Sequence, residues 1–216
     1  MTMSIPTLRD GGVTIRPIRL RDSRALEQEL ISNRAWLRTW EATNPHGPMS
    51  FDVRASIRSL QQNARAGHGL PFVIEYDGRV AGQLNVSSIA YGSLSSATIG
   101  YWVSERFAGK GATPTAVALA TDHCFFGVGL HRMEICIRPE NEPSLRVVEK
   151  LGFRYEGLRR RYIHINGDWR DHFCFGLTVE ELPQGVLRRW LDGKAPRDAA
   201  EVPAADRAKA ARPLLP

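Results

Sequence analysis

Residues Gly100 to Phe126, GYWVSERFAGKGATPTAVALATDHCFF, limit the fold more than any other stretch of the chain. Ile99, Tyr101 and Val103 alternate with β-preferring side chains, the pattern of a half-buried strand. Arg106, Gly109, Gly111 and Ala112 then spell R-x-x-G-x-G-A. Thr113 reads as an N-cap and Pro114 as the first helical residue, where a missing N–H costs nothing. The helix is expected to run on with Leu119 and Phe126 on one face and Ala116 and Ala120 allowing close packing. A glycine loop feeding a helix start turns several backbone N–H groups and the positive end of the helix dipole toward one point. Such a loop attracts a phosphate, and its rival reading is a tight strand-to-helix turn. No Lys-Ser or Lys-Thr pair closes it as a P-loop would. The third glycine and the ribose-binding acid of a dinucleotide site are also absent.

A second stretch, RMEICIRPENEPSLRVVEKLGF from Arg132 to Phe153, repeats the strand-to-helix design. A strand over Met133 to Ile137 leads through N-E-P-S into a helix ending at Leu151, with Gly152 placed as its C-cap glycine. Together, R-x-x-G-x-G-A and N-x-x-S-x-R-V-x-E-K-L-G-F resemble the GNAT superfamily of acetyl-CoA-dependent N-acetyltransferases. With Trp36, Trp40 and GDWRDHF from Gly167 to Phe173, the second motif is most similar to the branch that acetylates N-terminal alanines of ribosomal proteins. The resemblance covers roughly Val13 to Thr178. The paired motifs are specific for the superfamily and not for the acceptor.

Composition narrows the partners. At 216 residues the chain is long enough for one α/β domain with a real core, and 43% hydrophobic content suits a globular protein. Lys plus Arg outnumber Asp plus Glu by 29 to 23, which favours anionic partners such as a polyphosphate, and equally serves solubility. No block of like charge marks a nucleic-acid tail, so no direct nucleic-acid partner is expected. The three cysteines, Cys124, Cys136 and Cys174, have neither zinc nor disulfide-framework spacing and read as buried free thiols. The start, MTMSIPTLRDGG, has no signal-like apolar region, and no apolar run reaches membrane-spanning length. A cytoplasmic location and no membrane partner are expected, as a monomer or homodimer.

Taken in order, Val13 to Pro17 reads as a strand after a Gly11-Gly12 turn, and Asp22 as the cap of a helix running to about Ser32. Trp36, Leu37 and Trp40 follow at helical spacing, a core pattern or an acceptor wall. Asn44 to Pro48 is a loop long enough to act as a mobile lid. Ser50 precedes a helix with Val53, Ile57 and Leu60 on one face. Leu70 to Tyr76 and Arg79 to Val86 form a hairpin about Asp77-Gly78, and Tyr91 to Ser95 is a second turn region. This middle part is an antiparallel meander, and the later strands are expected to add parallel pairing. Phe153 to Tyr162 and Trp169 to Leu177 are the last two strands, linked by Asn166-Gly167. Thr178 to Glu181 is a capping box for a final helix that Pro183 should break before Val186-Leu187-Trp190. The expected organisation is an acetyltransferase domain over residues 1–192 and an Ala/Pro/charge-rich tail over 193–216, with too little apolar surface to offset its ordering entropy.

The resemblance also assigns roles. Backbone N–H groups of Arg106, Phe107, Ala108, Gly109, Lys110 and Gly111, leading into Ala112 and Thr113, would hold the pyrophosphate of coenzyme A, with Arg106 and Lys110 adding charge. Amides of Tyr101, Trp102 and Val103 would face the pantetheine arm and polarise the thioester carbonyl. Asn141 would bond the pantetheine arm, a role compatible with N-capping, and Ser144 would donate to the departing thiolate. The tyrosine that serves other branches would fall at Val148. Glutamates that act as base elsewhere fall at Thr98 and Cys136, so Glu134, Glu41, Glu105 and Asp171 are the acidic candidates. A terminal α-amine, with a pKa near 8 against about 10.4 for lysine, needs less help to lose its proton. Trp36, Trp40, Glu41 and Asp171 would hold the acceptor. Asp171 and His172 alternate along a strand and point to opposite faces, so no metal site is expected.

The sequence therefore implies an α/β (α+β) domain: a GNAT-like mixed, mostly antiparallel central sheet flanked by helices, with splayed strands forming an acyl-CoA groove. The implied activity is direct acetyl transfer from acetyl-CoA to a protein N-terminal α-amine, a ribosomal protein being one such acceptor. A small amine, polyamine or amino sugar, is the alternative acceptor, and a non-catalytic acyl-CoA-binding module is the alternative class.

Overall fold

The structure is a computed structural model and describes residues 5–47 and 52–212. Its eight strands form one sheet in the order β1-β2-β3-β4-β5-β6-β8-β7. These are β1 (Leu8–Asp10), β2 (Val13–Pro17), β3 (Leu70–Tyr76), β4 (Arg79–Ala90), β5 (Ser96–Val103), β6 (Arg132–Ile137), β7 (Arg154–Ile165) and β8 (Asp168–Thr178). The first five pair antiparallel as a meander. The expected parallel pairing is confined to β5 and β6, since β8 runs antiparallel to both β6 and β7. The two hairpin turns fall where the sequence places them. Asp77 and Gly78 have φ of 48° and 74°, and Asn166 and Gly167 have 49° and 90°, the left-handed pairs that match strand twist.

Seven α-helices cover the described residues: α1 (Ser23–Ser32), α2 (Arg34–Leu37), α3 (Val53–Arg65), α4 (Ala112–Asp122), α5 (Glu142–Leu151), α6 (Val186–Leu191) and α7 (Ala204–Ala210). Alternation along β3 divides the core. Phe72 and Ile74 join the large cluster that contains Ala116, Val117 and Val148, while Val73 packs with Ile18, Leu26 and Ile57 under α1 and α3. Every residue of α4 from Ala112 to Thr121 is buried, as its run of small side chains permits.

Several local expectations are corrected. α4 begins at Ala112 with Gly111 as its N-cap, so Thr113 lies inside the first turn and Pro114 one residue further. Beyond Asp122 the chain widens into a π-turn over His123–Val128, which leaves Phe126 58% exposed. Asp22 does not cap α1 with its side chain. Its carboxylate instead accepts from the Arg19 N–H and from both Nη atoms of Arg16, at 2.8–3.0 Å. The cap of α3 is Asp52, whose Oδ1 accepts from the Ala55 N–H, while Ser50 and Pro48 lie outside the described residues. The Thr178–Glu181 capping box opens a 3₁₀ turn of three residues, and α6 starts afresh after Pro183.

Asp122, at the end of α4, accepts from the N–H groups of Val186 and Leu187 and so satisfies the start of α6. The segment after Gly193 was expected to bury little, yet Val202 is 4% exposed, the Tyr155 N–H donates to the Ala199 carbonyl, and Tyr155 Oη meets Asp206 at 2.9 Å. One valine and main-chain pairing to β7 hold this stretch where composition alone counted too few apolar residues.

Candidate active site

The ladder between β5 and β6 holds only from Ser96 to Thr98, against Arg132 to Glu134. Beyond Thr98 the two strands diverge, so Ile99–Val103 has no strand partner on that side among the described residues. The direction of the freed groups follows from two bonds. The Val103 carbonyl accepts from Trp36 Nε1 at 3.1 Å, and the Ser104 N–H turns back to the Ala81 carbonyl. Main-chain groups alternate sides along an antiparallel strand. Tyr101 and Val103 therefore face the gap, and Trp102 faces β4, which corrects the expectation that all three amides are free. β4 approaches closely here: a Cβ on Gly82 would run into the Trp102 carbonyl oxygen.

The glycine loop closes one end of this gap. A 3₁₀ turn over Glu105–Phe107 uses the N–H groups of Phe107 and Ala108, which donate to the Ser104 and Glu105 carbonyls. Those two are lost as phosphate donors. Gly109 and Gly111 have φ of 76° and 79°, the left-handed region that glycine adopts without strain. Among the described residues nothing accepts from the N–H groups of Gly109, Lys110, Gly111, Ala112 and Thr113, and Thr115 is the first to bond back along the helix. A nest of donors at the positive end of a buried helix suits a pyrophosphate.

The basic residues at the groove are not those expected. The Arg106 guanidinium is ion-paired with Glu29, and Lys110 lies over the Phe107 ring at 5.8 Å. Neither lines the groove. Arg146 and Lys150, one turn apart on α5, line it from the opposite side. Their i, i+4 spacing beside N-x-x-S was visible in the sequence and was not used. Asn141 caps α5, its Oδ1 accepting the Ser144 N–H at 3.2 Å. The groove of about 220 Å³ between loop and α5 ends at Tyr101, Asn141 and Ser144.

On the far side of those residues a second cavity, of about 400 Å³, opens beneath Trp40, Glu41, Arg138 and His172. Both cavities share Leu37, Trp40, Tyr101, Trp102, Asn141 and Ser144. The Tyr101 phenol is unexpected here. Its oxygen is buried with no hydrogen-bond partner, and burial pushes its pKa up to about 12, partly offset by the Ser144 side chain beside it. Val148, where other branches carry tyrosine, is wholly buried in the core.

The two segments expected to hold the acceptor do meet. Ala42 bridges to Ile165, the Thr43 N–H donates to the His164 carbonyl, and Arg38 reaches Asn166 at 3.2 Å. Arg138 lies over the Trp40 ring at 5.3 Å and donates to the Thr39 carbonyl. Glu41 lines the second cavity and is ion-paired with Arg34. Two acidic candidates stand elsewhere. Glu134 is held by Arg159 at 2.8 Å, with Arg132 at 3.8 Å, and lines neither cavity. Asp171 faces away from the cleft, is ion-paired with Arg160 at 2.6 Å and accepts from the Arg161 N–H at 2.7 Å, where β7 bulges against β8. Cys136, in the cavity wall, has its sulfur 3.1 Å from that of Cys174, and this neighbour together with burial pushes its thiol up. No group of three or more His, Cys, Asp or Glu capable of holding a metal occurs among the described residues. No helix among them is long and apolar enough to cross a membrane.

Comparison with known proteins gives this geometry a lineage. The family described as acetyltransferase (GNAT) domain matches residues 13–154. The Mycobacterium smegmatis RimJ structure, in complex with CoA-disulfide, superposes with a TM-score of 0.79 at 41% identity, over 83% of this chain and 88% of that one. A probable N-acetyltransferase, YjcK of Bacillus subtilis, is 42% identical over 44% of this chain, a match that spans about half of that protein, 53%. The ribosomal protein uS5-alanine N-acetyltransferase of Escherichia coli is 26% identical over 80% of this chain and 91% of its own length. The spermidine N(1)-acetyltransferase of the same organism is 28% identical over 74% of this chain and 82% of its own.

Proposed function

The chain belongs to the GNAT family of acetyltransferases, and from that premise we propose that it moves an acetyl group from acetyl-CoA to the α-amine of a protein N-terminus, a ribosomal protein being the favoured acceptor. The observation that carries this reading is the meeting of two cavities at Tyr101, Asn141 and Ser144. One cavity has phosphate-binding chemistry and the other has room for an amine-bearing chain end.

The residues present fit coenzyme A. The free N–H groups from Gly109 to Thr113 are donors for a pyrophosphate, and Arg146 and Lys150 add positive charge at the same groove. The outward amides of Tyr101 and Val103 offer donors to an extended amide arm and to the carbonyl where negative charge develops. When bound, acetyl-CoA supplies an activated acetyl thioester. Ser144 is the hydroxyl at the junction and donates a proton toward the sulfur side. Trp40 and Glu41 line the second cavity and hold the acceptor, with Glu41 attracting its positive end, while Trp36, expected beside them, lines the cofactor groove instead.

A second reading, a small polyamine as acceptor, is favoured by the likeness to a spermidine acetyltransferase. The likeness to the uS5-alanine N-acetyltransferase, which extends over 80% of the chain against 74%, favours the protein acceptor. A turnover assay with acetyl-CoA separates them. Peptides beginning with Ala or Ser are acetylated, and the same peptides with blocked termini and free lysines are not. Preference for spermidine over every free-terminus peptide overturns the peptide reading. No turnover with any amine overturns the enzyme reading.

A further inference from the structure

We propose that His172 is the proton acceptor for the amine in the second cavity. The inference rests on the acetyl-transfer reading above and adds the base which that reading lacks. The acidic candidates are engaged elsewhere: Glu134 lies outside the cavity and is held by Arg159, Asp171 faces away and is held by Arg160, and Glu41, which does line the cavity, is ion-paired with Arg34.

His172 is 3% exposed and lines the cavity wall with Cys136, Arg138, Ile163 and Ile165. Its Nδ1 is 3.0 Å from the carbonyl oxygen of Arg170. A carbonyl only accepts, so Nδ1 carries the hydrogen, and the neutral ring keeps its lone pair on Nε2. No hydrogen bond joins Nε2 to any described residue. The ring is further fixed by an edge contact with Tyr162, centroids 5.8 Å apart. A locked tautomer with an unused acceptor, in the wall of a chamber sized for a substrate end, is the arrangement a general base needs.

The charges around it favour the neutral ring. Burial, the largest influence, lowers its pKa below the ordinary histidine value, and Arg138 lowers it further. The Arg170 carbonyl, Glu140 and Asp171 act in the opposite direction and are outweighed. Cys136 faces it from β6, Tyr162 from β7, and Arg159 is its partner across the β7–β8 ladder.

The balance is as follows. An incoming ammonium gives one proton to Nε2 and becomes a neutral amine with a free lone pair. The new C–N bond forms as the C–S bond breaks. The second nitrogen proton passes by way of the Ser144 hydroxyl to the departing thiolate, which leaves as the thiol. The imidazolium then returns its proton to water.

His172→Asn tests this, because the Asn amide can keep the donation to Arg170 while nothing replaces Nε2. In the variant, kcat/KM on a free-terminus peptide falls about 10²-fold or more near neutral pH. The loss shrinks as pH rises past about 8, where the α-amine deprotonates by itself. Acetyl-CoA affinity, by calorimetry, stays at the parent value. A second readout needs no turnover and only the parent protein. Nitrogen NMR of its histidines, with His172 assigned through its contact to the Tyr162 ring, shows a neutral ring with the proton on Nδ1 down to below pH 6.5. Parent-like rates and an unchanged pH profile in the variant overturn the proposal, as does an Nε2-protonated ring. A parent that acetylates no amine instead overturns the proposed function.

Discussion

Trp36 ties the acceptor side of the cleft to the cofactor side: its indole N–H donates to the carbonyl of Val103 at 3.1 Å, across 67 residues of sequence. That one bond orients the last peptide of the splayed strand. It caps an otherwise unpaired carbonyl and leaves the amides of Tyr101 and Val103 turned into the gap.

Trp36→Phe keeps a ring in the wall and removes only the donor. A hydrogen bond of this kind contributes about 0.5–1.5 kcal/mol net, so the melting temperature should fall by about 1–6 °C. The larger effect is expected on turnover, because a misaligned amide matters most where charge develops. A drop in kcat of about tenfold with peptide KM little changed would agree. Equal loss in a variant of a surface tryptophan such as Trp169, which is 47% exposed, would argue against a specific role.

The loop glycines make a conformational prediction. A Cβ at Gly109 meets nothing within 4 Å, and one at Gly111 only brushes Trp190 at 3.9 Å. Space is therefore not the obstacle, and left-handed φ is. That conformation costs an ordinary L residue about 1–2 kcal/mol, more for a β-branched one, while Asn tolerates it. Gly111→Val should weaken acetyl-CoA binding by about tenfold or more, and Gly111→Asn should remain within a few-fold of the parent. Calorimetry on the two proteins checks it. Equal affinities for Val and Asn would show that backbone shape at this position does not hold the phosphates.

The strand-loop-helix units were legible because their signals are local. Alternation at Ile99, Tyr101 and Val103, Asp-Gly and Asn-Gly turns, and the Asn141 cap each concern neighbours in sequence. The charges of the site were not legible in the same way. Arg106 reads as a phosphate ligand until Glu29, 77 residues earlier, claims it. Asp171 reads as an acceptor contact until the β7 bulge turns Arg160 and the Arg161 N–H toward it. Long side chains choose partners by tertiary distance, and no periodicity encodes that. His172 reads only as a strand residue facing opposite to Asp171, and the Tyr101 phenol has no signal of its own, because strand alternation gives a face but not which face borders a cavity.

Acid should act through Asp22. Burial, the largest single influence, pushes its carboxyl up, yet bonds from Arg16 and the Arg19 N–H outweigh it and hold the group below the ordinary carboxylate value of 3.8. A depressed folded-state pKa means a contribution fully present above the unfolded value and lost as pH falls through the folded one. Asp22→Asn should therefore destabilise the protein at pH 7 by about 2–3 kcal/mol, the worth of hydrogen bonds to a charged group. Denaturant midpoints of parent and variant should begin to converge below about pH 4 and draw closer as pH falls further. A gap that stays constant down to pH 3 would assign the loss to packing rather than charge.

The last prediction concerns Ser144 and Tyr101, which approach the junction from opposite walls. Ser144 comes from the first turn of α5, and Tyr101 from the splayed strand. The phenol oxygen is buried and makes no well-formed hydrogen bond, with only the Ser144 side chain beside it, so the pair has donor capacity left for a group that arrives in the reaction. With its pKa pushed up to about 12 by burial, it remains a protonated donor across the working pH range. Ser144 has no group at Val148 to share its task, so a Tyr101–Ser144 pair is the natural donor to the departing sulfur. Ser144→Ala and Tyr101→Phe should each lower kcat by about 10-fold or more while acetyl-CoA affinity changes less than about threefold, since the interaction is made chiefly in the transition state. The double variant should be little worse than the poorer single one, because residues acting as a unit are not additive. Neither change should add an ionisation to the pH–rate profile below about pH 10. Additive losses would show two independent roles, and unchanged kcat in both single variants would hand the proton transfer to water.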